Sequence, residues 1–180
     1  MCFAYNGVEY SILNETCVVS GVVKNTSKLT DITIANSVNG IPVSVIQSGA
    51  FSDCQSVKSI RLGKNIKRID VQAFLNCFSL ENVFLSFGIE TIQHSAFACC
   101  HSLKNIVIPN SVTCIGNYAF YDCTALESIT IPDSVISVGL NAFNRCPSLK
   151  KINGQFNKFP PKVEFINLLE QLNKEYCDKN

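Results

Sequence analysis

The amino-acid sequence predicts an α/β solenoid, a right-handed coil with parallel strands on one face. Two observations support this prediction. First, Cys54, Cys77, Cys100, Cys123 and Cys146 recur every 23 residues, four times in succession. Second, apolar residues recur at fixed offsets from these cysteines, in six ladders without a gap. A 23-residue unit cannot bury its apolar face alone, whereas stacked units place like residues over like and share one core.

Each unit predicts one short strand and one short helical turn. The segment that follows each cysteine is rich in Ile, Val and Leu and alternates with period two, as in Ile106-Val107-Ile108. Strands of successive units would then pair in parallel, about 4.8 Å apart. Residues 116–120, which end in Ala119-Phe120, and their equivalents predict a turn of helix on the return side. In that turn Ala permits close packing and Phe fills the core.

The N-terminal residues 1–25 predict a β cap, because an open stack would otherwise expose its core. Residues 7–23 are interpreted as a hairpin that turns at Asn14-Glu15. The repeats are predicted to cover residues 26–152, and the first is longer than the others. Its extra stretch lies within residues 36–45 and contains Asn39-Gly40, a dipeptide that marks a turn.

The C-terminal residues 153–180 predict a linker followed by a capping helix. The linker, Asn153–Pro161, is polar and contains Gly and Pro, and Lys162–Cys177 has one apolar face at helical spacing. Five residues form that face: Val163, Ile166, Leu169, Leu172 and Tyr176. We expect this face to close the last coil. The alternative is a helix that binds a partner.

Two repeat units carry a family resemblance. The strings CHSLKNIVIPNSVTCIGNYAFYDC (100–123) and CTALESITIPDSVISVGLNAFNRC (123–146) resemble BspA-like, or type 5, leucine-rich repeats. The resemblance extends over roughly residues 26–152. Two units depart from the pattern, with Leu62-Gly63 and Leu85-Ser86 where Ile-Pro is usual. Similar proteins are described as surface antigens and adhesins, so the resemblance implies attachment or the binding of host proteins.

Composition excludes several classes of protein. Hydrophobic residues make up 47% of the 180 residues and charged residues 16%, which excludes a chain disordered throughout. The net charge of +1 argues against a nucleic-acid partner. We expect no membrane span, because no uncharged apolar run is long enough. The N-terminus lacks the pattern of a signal peptide, which favours a cytoplasmic or intracellular setting. The resemblance favours the cell surface instead.

The cysteine ladder is interpreted as structural and reduced. A ladder spreads its thiols along an axis, whereas a metal site needs ligands that converge on one point. Cys99 and Cys114 lie off the ladder and are candidates for exposed, reactive thiols. His94 and His101 have no catalytic partner in a known motif. The sequence therefore predicts no catalytic residue, no cofactor and no metal site, and we expect no enzyme.

The strand face is the predicted binding surface, because repeat proteins generally use it for recognition. Phe84 and Val107 fall at the same offset in consecutive units, which predicts an apolar patch with a polar rim. The predicted partner-binding residues are Arg61, Asn82, Phe84, Phe87, Asn105, Val107 and Thr130. The other interpretation is that these are ordinary exposed strand residues.

Two functions follow from these predictions. The first is a non-enzymatic recognition scaffold that binds a protein partner through the strand face, as a surface antigen or adhesin would. The alternative is an intracellular structural or regulatory repeat protein that docks a partner through its C-terminal helix.

Overall fold

The computed structural model describes residues 2–23 and 29–153, and every regular element in these ranges is a β-strand. In chain order the strands are β1 Cys2–Tyr5, β2 Val8–Leu13, β3 Thr16–Val22, β4 Asp31–Thr33, β5 Ser37–Val38, β6 Ile41–Ile46, β7 Ser59–Arg61, β8 Arg68–Ile69, β9 Asn82–Phe84, β10 Thr91–Ile92, β11 Asn105–Val107, β12 Cys114–Ile115, β13 Ser128–Thr130, β14 Ser137–Val138 and β15 Lys151–Asn153. The described fold is therefore a β-solenoid.

Each regular coil contributes two strands, one to each side of the stack. The predicted strand face consists of two three-stranded sheets, β4-β7-β9 and β11-β13-β15. The second strand of each coil was not predicted, and it joins a nine-stranded sheet that includes β6, β8, β10, β12 and β14. Strands of successive regular coils pair in parallel, and each residue lies opposite its equivalent 23 positions later, as Ile92 lies opposite Ile115. The repeat length therefore sets the register.

The N-terminal hairpin predicted for residues 7–23 is present, and it continues the nine-stranded sheet. β2 and β3 pair in antiparallel fashion, and β3 pairs in parallel with β6 of the first coil. Asn14 and Glu15 both have positive φ, as a tight hairpin turn with the twist of its strands requires. Tyr10 is fully buried, and its hydroxyl accepts a hydrogen bond from the Ala35 backbone N–H at 3.1 Å. This bond attaches the hairpin to the first coil.

One column of phenylalanine rings runs through the interior of the stack. Five residues form the column, and each is at most 2% exposed: Phe51, Phe74, Phe97, Phe120 and Phe143. Their centroids are 4.9 to 5.5 Å apart, and successive ring planes differ by 4 to 6°. The single column confirms that equivalent side chains stack coil upon coil.

The helical turn predicted on the return side is wrong. Each return segment has two residues with positive φ four positions apart, such as Gln72 and Asn76 or Tyr118 and Asp122. A right-handed helix cannot pass through left-handed residues at that spacing. The backbone N–H groups instead bond to the neighbouring coil: the Phe97 N–H donates to the Ala119 carbonyl at 2.8 Å. The segment is therefore a set of turns whose hydrogen bonds join coil to coil.

The C-terminal linker and helix fall outside the described residues, apart from Asn153 at the end of β15. The α component of the predicted class thus has no support in the part of the chain that the structure describes. In those same ranges, no helix has the length and apolar character needed to cross a membrane.

Candidate functional site

The strand face presents its side chains by simple alternation. In β9, Val83 points into the core while Asn82 and Phe84 point outward, and β11 repeats this with Ile106 buried beneath Val107. A strand turns successive side chains to opposite faces, so one buried position exposes both neighbours. The hydrophobic core thus determines which side chains this face offers to a partner.

Two exposed apolar side chains lie on consecutive strands of this face, and a third lies in the turn after β9. Phe84 is 45% exposed, Phe87 is 90% exposed and Val107 is 67% exposed. The guanidinium carbon of Arg61 lies 4.2 Å from the centroid of the Phe84 ring, a cation–π contact between paired strands β7 and β9. We call Phe84, Phe87 and Val107 the apolar patch, and Arg61 belongs to its polar rim.

The predicted rim residues occupy the same face. Asn105 accepts a hydrogen bond from the Ser128 hydroxyl at 2.6 Å through its Oδ1 atom. The Thr130 hydroxyl accepts one from the Asn153 amide at 3.4 Å. Asn82 is exposed on β9. Asn105 and Thr130 are therefore held by neighbouring coils before any partner binds.

The strand ladder is interrupted beneath the apolar patch. β9 ends one three-stranded sheet and β11 begins the other, although they belong to consecutive coils. Beside this break, the Ser86 hydroxyl is buried and has no hydrogen-bond partner among the described residues. The unit from Cys77 carries Leu85-Ser86 at the position where the next two units carry Ile-Pro, so this change in sequence lies at the break.

The ladder cysteines behave as core residues. Cys77, Cys100 and Cys123 are buried, and each thiol donates to the backbone carbonyl of a column phenylalanine at 3.0 to 3.3 Å. Burial raises the pKa of all three thiols, to about 12 for Cys77 and well above the ordinary value for the others. A thiol held in its neutral form is a poor nucleophile and a poor metal ligand. The structural interpretation of the ladder is supported, and the nine cysteines of residues 2–23 and 29–153 are free.

A second group of side chains meets on the return side. Each of three residues, Cys99, His101 and Asp122, offers one atom of a kind that binds metal ions. These three atoms lie within 4.8 Å of one another. The His101 Nε2 atom is 3.3 Å from the Asp122 Oδ2 atom. The other Asp122 oxygen, Oδ1, lies 3.4 Å from the Arg145 Nε atom. We call Cys99, His101 and Asp122 the return-side cluster.

This cluster was not predicted, because no sequence motif links its three members. Cys99 and His101 flank ladder residue Cys100, and Asp122 lies 23 residues after Cys99. A residue stacks on its equivalent one repeat later, so the period itself could have revealed the neighbourhood. Cys114 is half-buried in β12 and His94 contacts the Tyr118 ring edge-on, so neither joins the cluster.

Comparisons with known proteins agree with this architecture. A family model described as a BspA type leucine rich repeat region matches residues 16–150 in six copies. No curated protein matches the chain. A T. pallidum leucine rich repeat protein has a TM-score of 0.76 at 21% identity, over 93% of this chain and 94% of that one, which shows the shared fold.

Two longer bacterial proteins are more similar in sequence. A leucine-rich repeat protein from Bacteroides ovatus is 29% identical, with a TM-score of 0.77 over 84% of this chain and 40% of its own. A leucine rich cell surface protein from Faecalibacterium prausnitzii is 28% identical, with a TM-score of 0.74 over 92% of this chain and 41% of its own. The chain thus spans about two fifths of their length. With residues 16–150 matched by the family model, this chain belongs to the BspA type leucine rich repeat family.

Proposed function

We propose that the chain is a non-enzymatic recognition module that binds a protein partner through the apolar patch and its polar rim. The observation that carries the proposal is the exposure of Phe84 and Val107 on the consecutive strands β9 and β11, with Phe87, in the turn after β9, 90% exposed. Burying one such aromatic side chain contributes about 1.5–3 kcal/mol. Aromatic residues and arginine are also the residue types that most often dominate binding energy.

The surroundings of the patch support a protein partner. Amide and hydroxyl groups border it, and strands β9, β11 and β13 carry no charged residue, which is typical of the centre of a protein interface. The Arg61 guanidinium is already positioned over Phe84, so less side-chain freedom is lost on binding.

A surface-antigen or adhesin role extends this proposal. Its support is the cell surface protein from Faecalibacterium prausnitzii, 28% identical to this chain. The alternative function is the one that the sequence suggests, in which the predicted C-terminal helix binds the partner in place of the strand face.

The test is affinity capture from a lysate of cells, with identification by mass spectrometry and titration of the captured protein. Phe84→Asp with Val107→Lys disrupts the patch. Leu140→Asp with Ile136→Lys is the matched control, because these two side chains are 45% and 74% exposed at other positions of the coils. We expect the patch variant to weaken the partner's affinity at least about tenfold, as loss of a central aromatic contact does, and the control to leave it unchanged.

Two outcomes would contradict the proposal. A partner that binds the patch variant as tightly as the wild type does not use this face. If Leu169→Asp with Leu172→Lys abolishes binding while the patch variant binds normally, the alternative function through the C-terminal segment is correct.

A further inference from the structure

The return-side cluster combines three donor types that zinc accepts: a thiol, an imidazole and a carboxylate. The stacking of coils brings them together. Cys99 and Asp122 occupy equivalent positions in consecutive coils, and His101 lies two residues after Cys99. Cys99 is fixed by its backbone, because its N–H donates to the Tyr121 carbonyl at 2.8 Å.

The distance between the imidazole nitrogen and the carboxylate oxygen matches the spacing of ligands around one ion. In a tetrahedral zinc site, nitrogen and oxygen ligands about 2.0–2.2 Å from the metal lie roughly 3.3–3.5 Å from each other. His101 Nε2 and Asp122 Oδ2 are 3.3 Å apart. The Cys99 Sγ atom lies within 4.8 Å of both, against about 3.6 Å in a tetrahedral site, so the Cys99 side chain moves closer when an ion binds.

Neighbouring side chains already orient two of the three ligands. The His101 ring stacks on the Phe78 ring, with centroids 4.8 Å apart and planes 11° from parallel. Arg145 holds the Oδ1 atom of Asp122, which leaves Oδ2 directed at His101. The stacked ring limits rotation of the imidazole, and a hydrogen-bonding partner on a carboxylate ligand fixes its direction, as in known metal sites.

We propose that Cys99, His101 and Asp122 bind a zinc ion, with water as the fourth ligand. Burial and the neighbouring Asp122 carboxylate raise the pKa of the Cys99 thiol in the metal-free protein, so Cys99 becomes the thiolate and releases its proton to solvent only as the ion binds. His101 binds through Nε2, and its proton then lies on Nδ1. The hydrogen bond between His101 and Asp122 is replaced by a bond from each side chain to the metal. A bound ion joins two consecutive coils, and binding to the folded state alone raises the midpoint of unfolding.

The experiment uses the full chain, reduced and stripped of metal, and titrates it with Zn²⁺ and with Co²⁺. Cobalt replaces zinc in such sites and reports a thiolate ligand through a charge-transfer absorption band. We expect the wild type to bind one equivalent, to show this band, and to unfold at a higher temperature with Zn²⁺. Cys99→Ser should abolish the band, and His101→Ala and Asp122→Asn should each weaken affinity about tenfold to a hundredfold.

Cys114→Ser and His94→Ala are the matched controls, since they remove another half-buried cysteine off the ladder and the other histidine among the described residues. Both should bind metal as the wild type does. The proposal is overturned if the wild type shows no charge-transfer band, or if the band persists in Cys99→Ser. Should Cys99→Ser fail to fold, the partly exposed His101 and Asp122 carry the test, and unchanged affinity in both variants overturns it as well.

Discussion

The Sγ atom of Cys100 lies 3.3 Å from the carbonyl oxygen of Phe74 and donates a hydrogen bond to it. Cys77, Cys123 and Cys146 make the same contact with the equivalent phenylalanine, 26 residues earlier in each case. A thiol is small and apolar enough for the core, yet it satisfies a carbonyl that no strand ladder reaches. The repeated cysteine is thus explained by packing and hydrogen bonding together.

Replacing Cys100 with alanine should therefore destabilise the solenoid. Cys100→Ala removes the hydrogen bond to Phe74 and leaves a small void, so the free energy of unfolding should fall by about 1–3 kcal/mol. Urea unfolding followed by circular dichroism measures the change. Cys2→Ala is the control, since Cys2 is exposed, and it should change stability by less than about 0.5 kcal/mol. Equal midpoints for Cys100→Ala and the wild type would refute the packing role.

The buried thiols should make stability sensitive to alkaline pH. Burial raises the pKa of the Cys77 thiol to about 12, from an ordinary value of 9.0. The folded protein therefore keeps this proton where the unfolded chain loses it. Stability from this group is complete below pH 9.0 and declines as the pH rises toward about 12. The slope is about 1.4 kcal/mol per pH unit for each such cysteine.

Urea unfolding at several pH values above 9.0 tests this linkage. Cys77→Ala should lose stability less steeply than the wild type over that range, by about the contribution of one cysteine. Comparison of the two slopes removes the effect of other groups that titrate there. Parallel slopes would show that the Cys77 pKa is not raised in the folded state.

The phenylalanine column should contribute strongly to stability. Phe97 is fully buried and stacks on both Phe74 and Phe120. Phe97→Ala should lower the free energy of unfolding by about 3–5 kcal/mol, because it opens a cavity and removes two ring contacts. Phe87→Ala, at a side chain 90% exposed, should change it by less than about 0.5 kcal/mol. Thermal unfolding of the two variants gives the comparison, and similar losses would contradict the column's role.

Close contact between coils predicts a strong effect at Gly116. A Cβ atom added there would lie 2.7 Å from the Gln93 carbonyl carbon and the His94 nitrogen, both of which are backbone atoms. Gly116→Ala should thus cost about 1–3 kcal/mol in unfolding free energy, since the backbone of one coil must shift. At Gly21 an added Cβ meets nothing nearer than 3.5 Å, so Gly21→Ala is the control and should leave the urea midpoint nearly unchanged. Tolerance of Gly116→Ala would show that the coils can separate locally.

The 23-residue period determined which residues stack, and this part of the fold could be predicted. A repeat that translates along an axis must place Phe74 beside Phe97, whatever the details of the coil. Alternation around buried Val83 likewise identified Phe84 as exposed. These predictions rest on periodicity alone, which can be seen in the sequence without any knowledge of the fold.

The return segments could not be predicted correctly, because their backbone is decided by hydrogen bonds between coils. Residues such as Tyr118 and Arg145 adopt positive φ, a conformation their side chains do not favour, and no local sequence signal indicates it. The second strand of each coil was not predicted, for a related reason. Two-residue strands such as Cys114–Ile115 are too short to show alternation and exist only because neighbouring coils pair with them.

The sequence by itself determined the solenoid, its core columns and the face that Phe84 and Val107 occupy, because burial repeats with the period. Only the tertiary structure placed Cys99, His101 and Asp122 within 4.8 Å of one another. Their side chains point away from the core, so no ladder of apolar residues reports them. Their meeting depends on the distance between coils and on the turn that reverses the chain, and both emerge only when the coils stack.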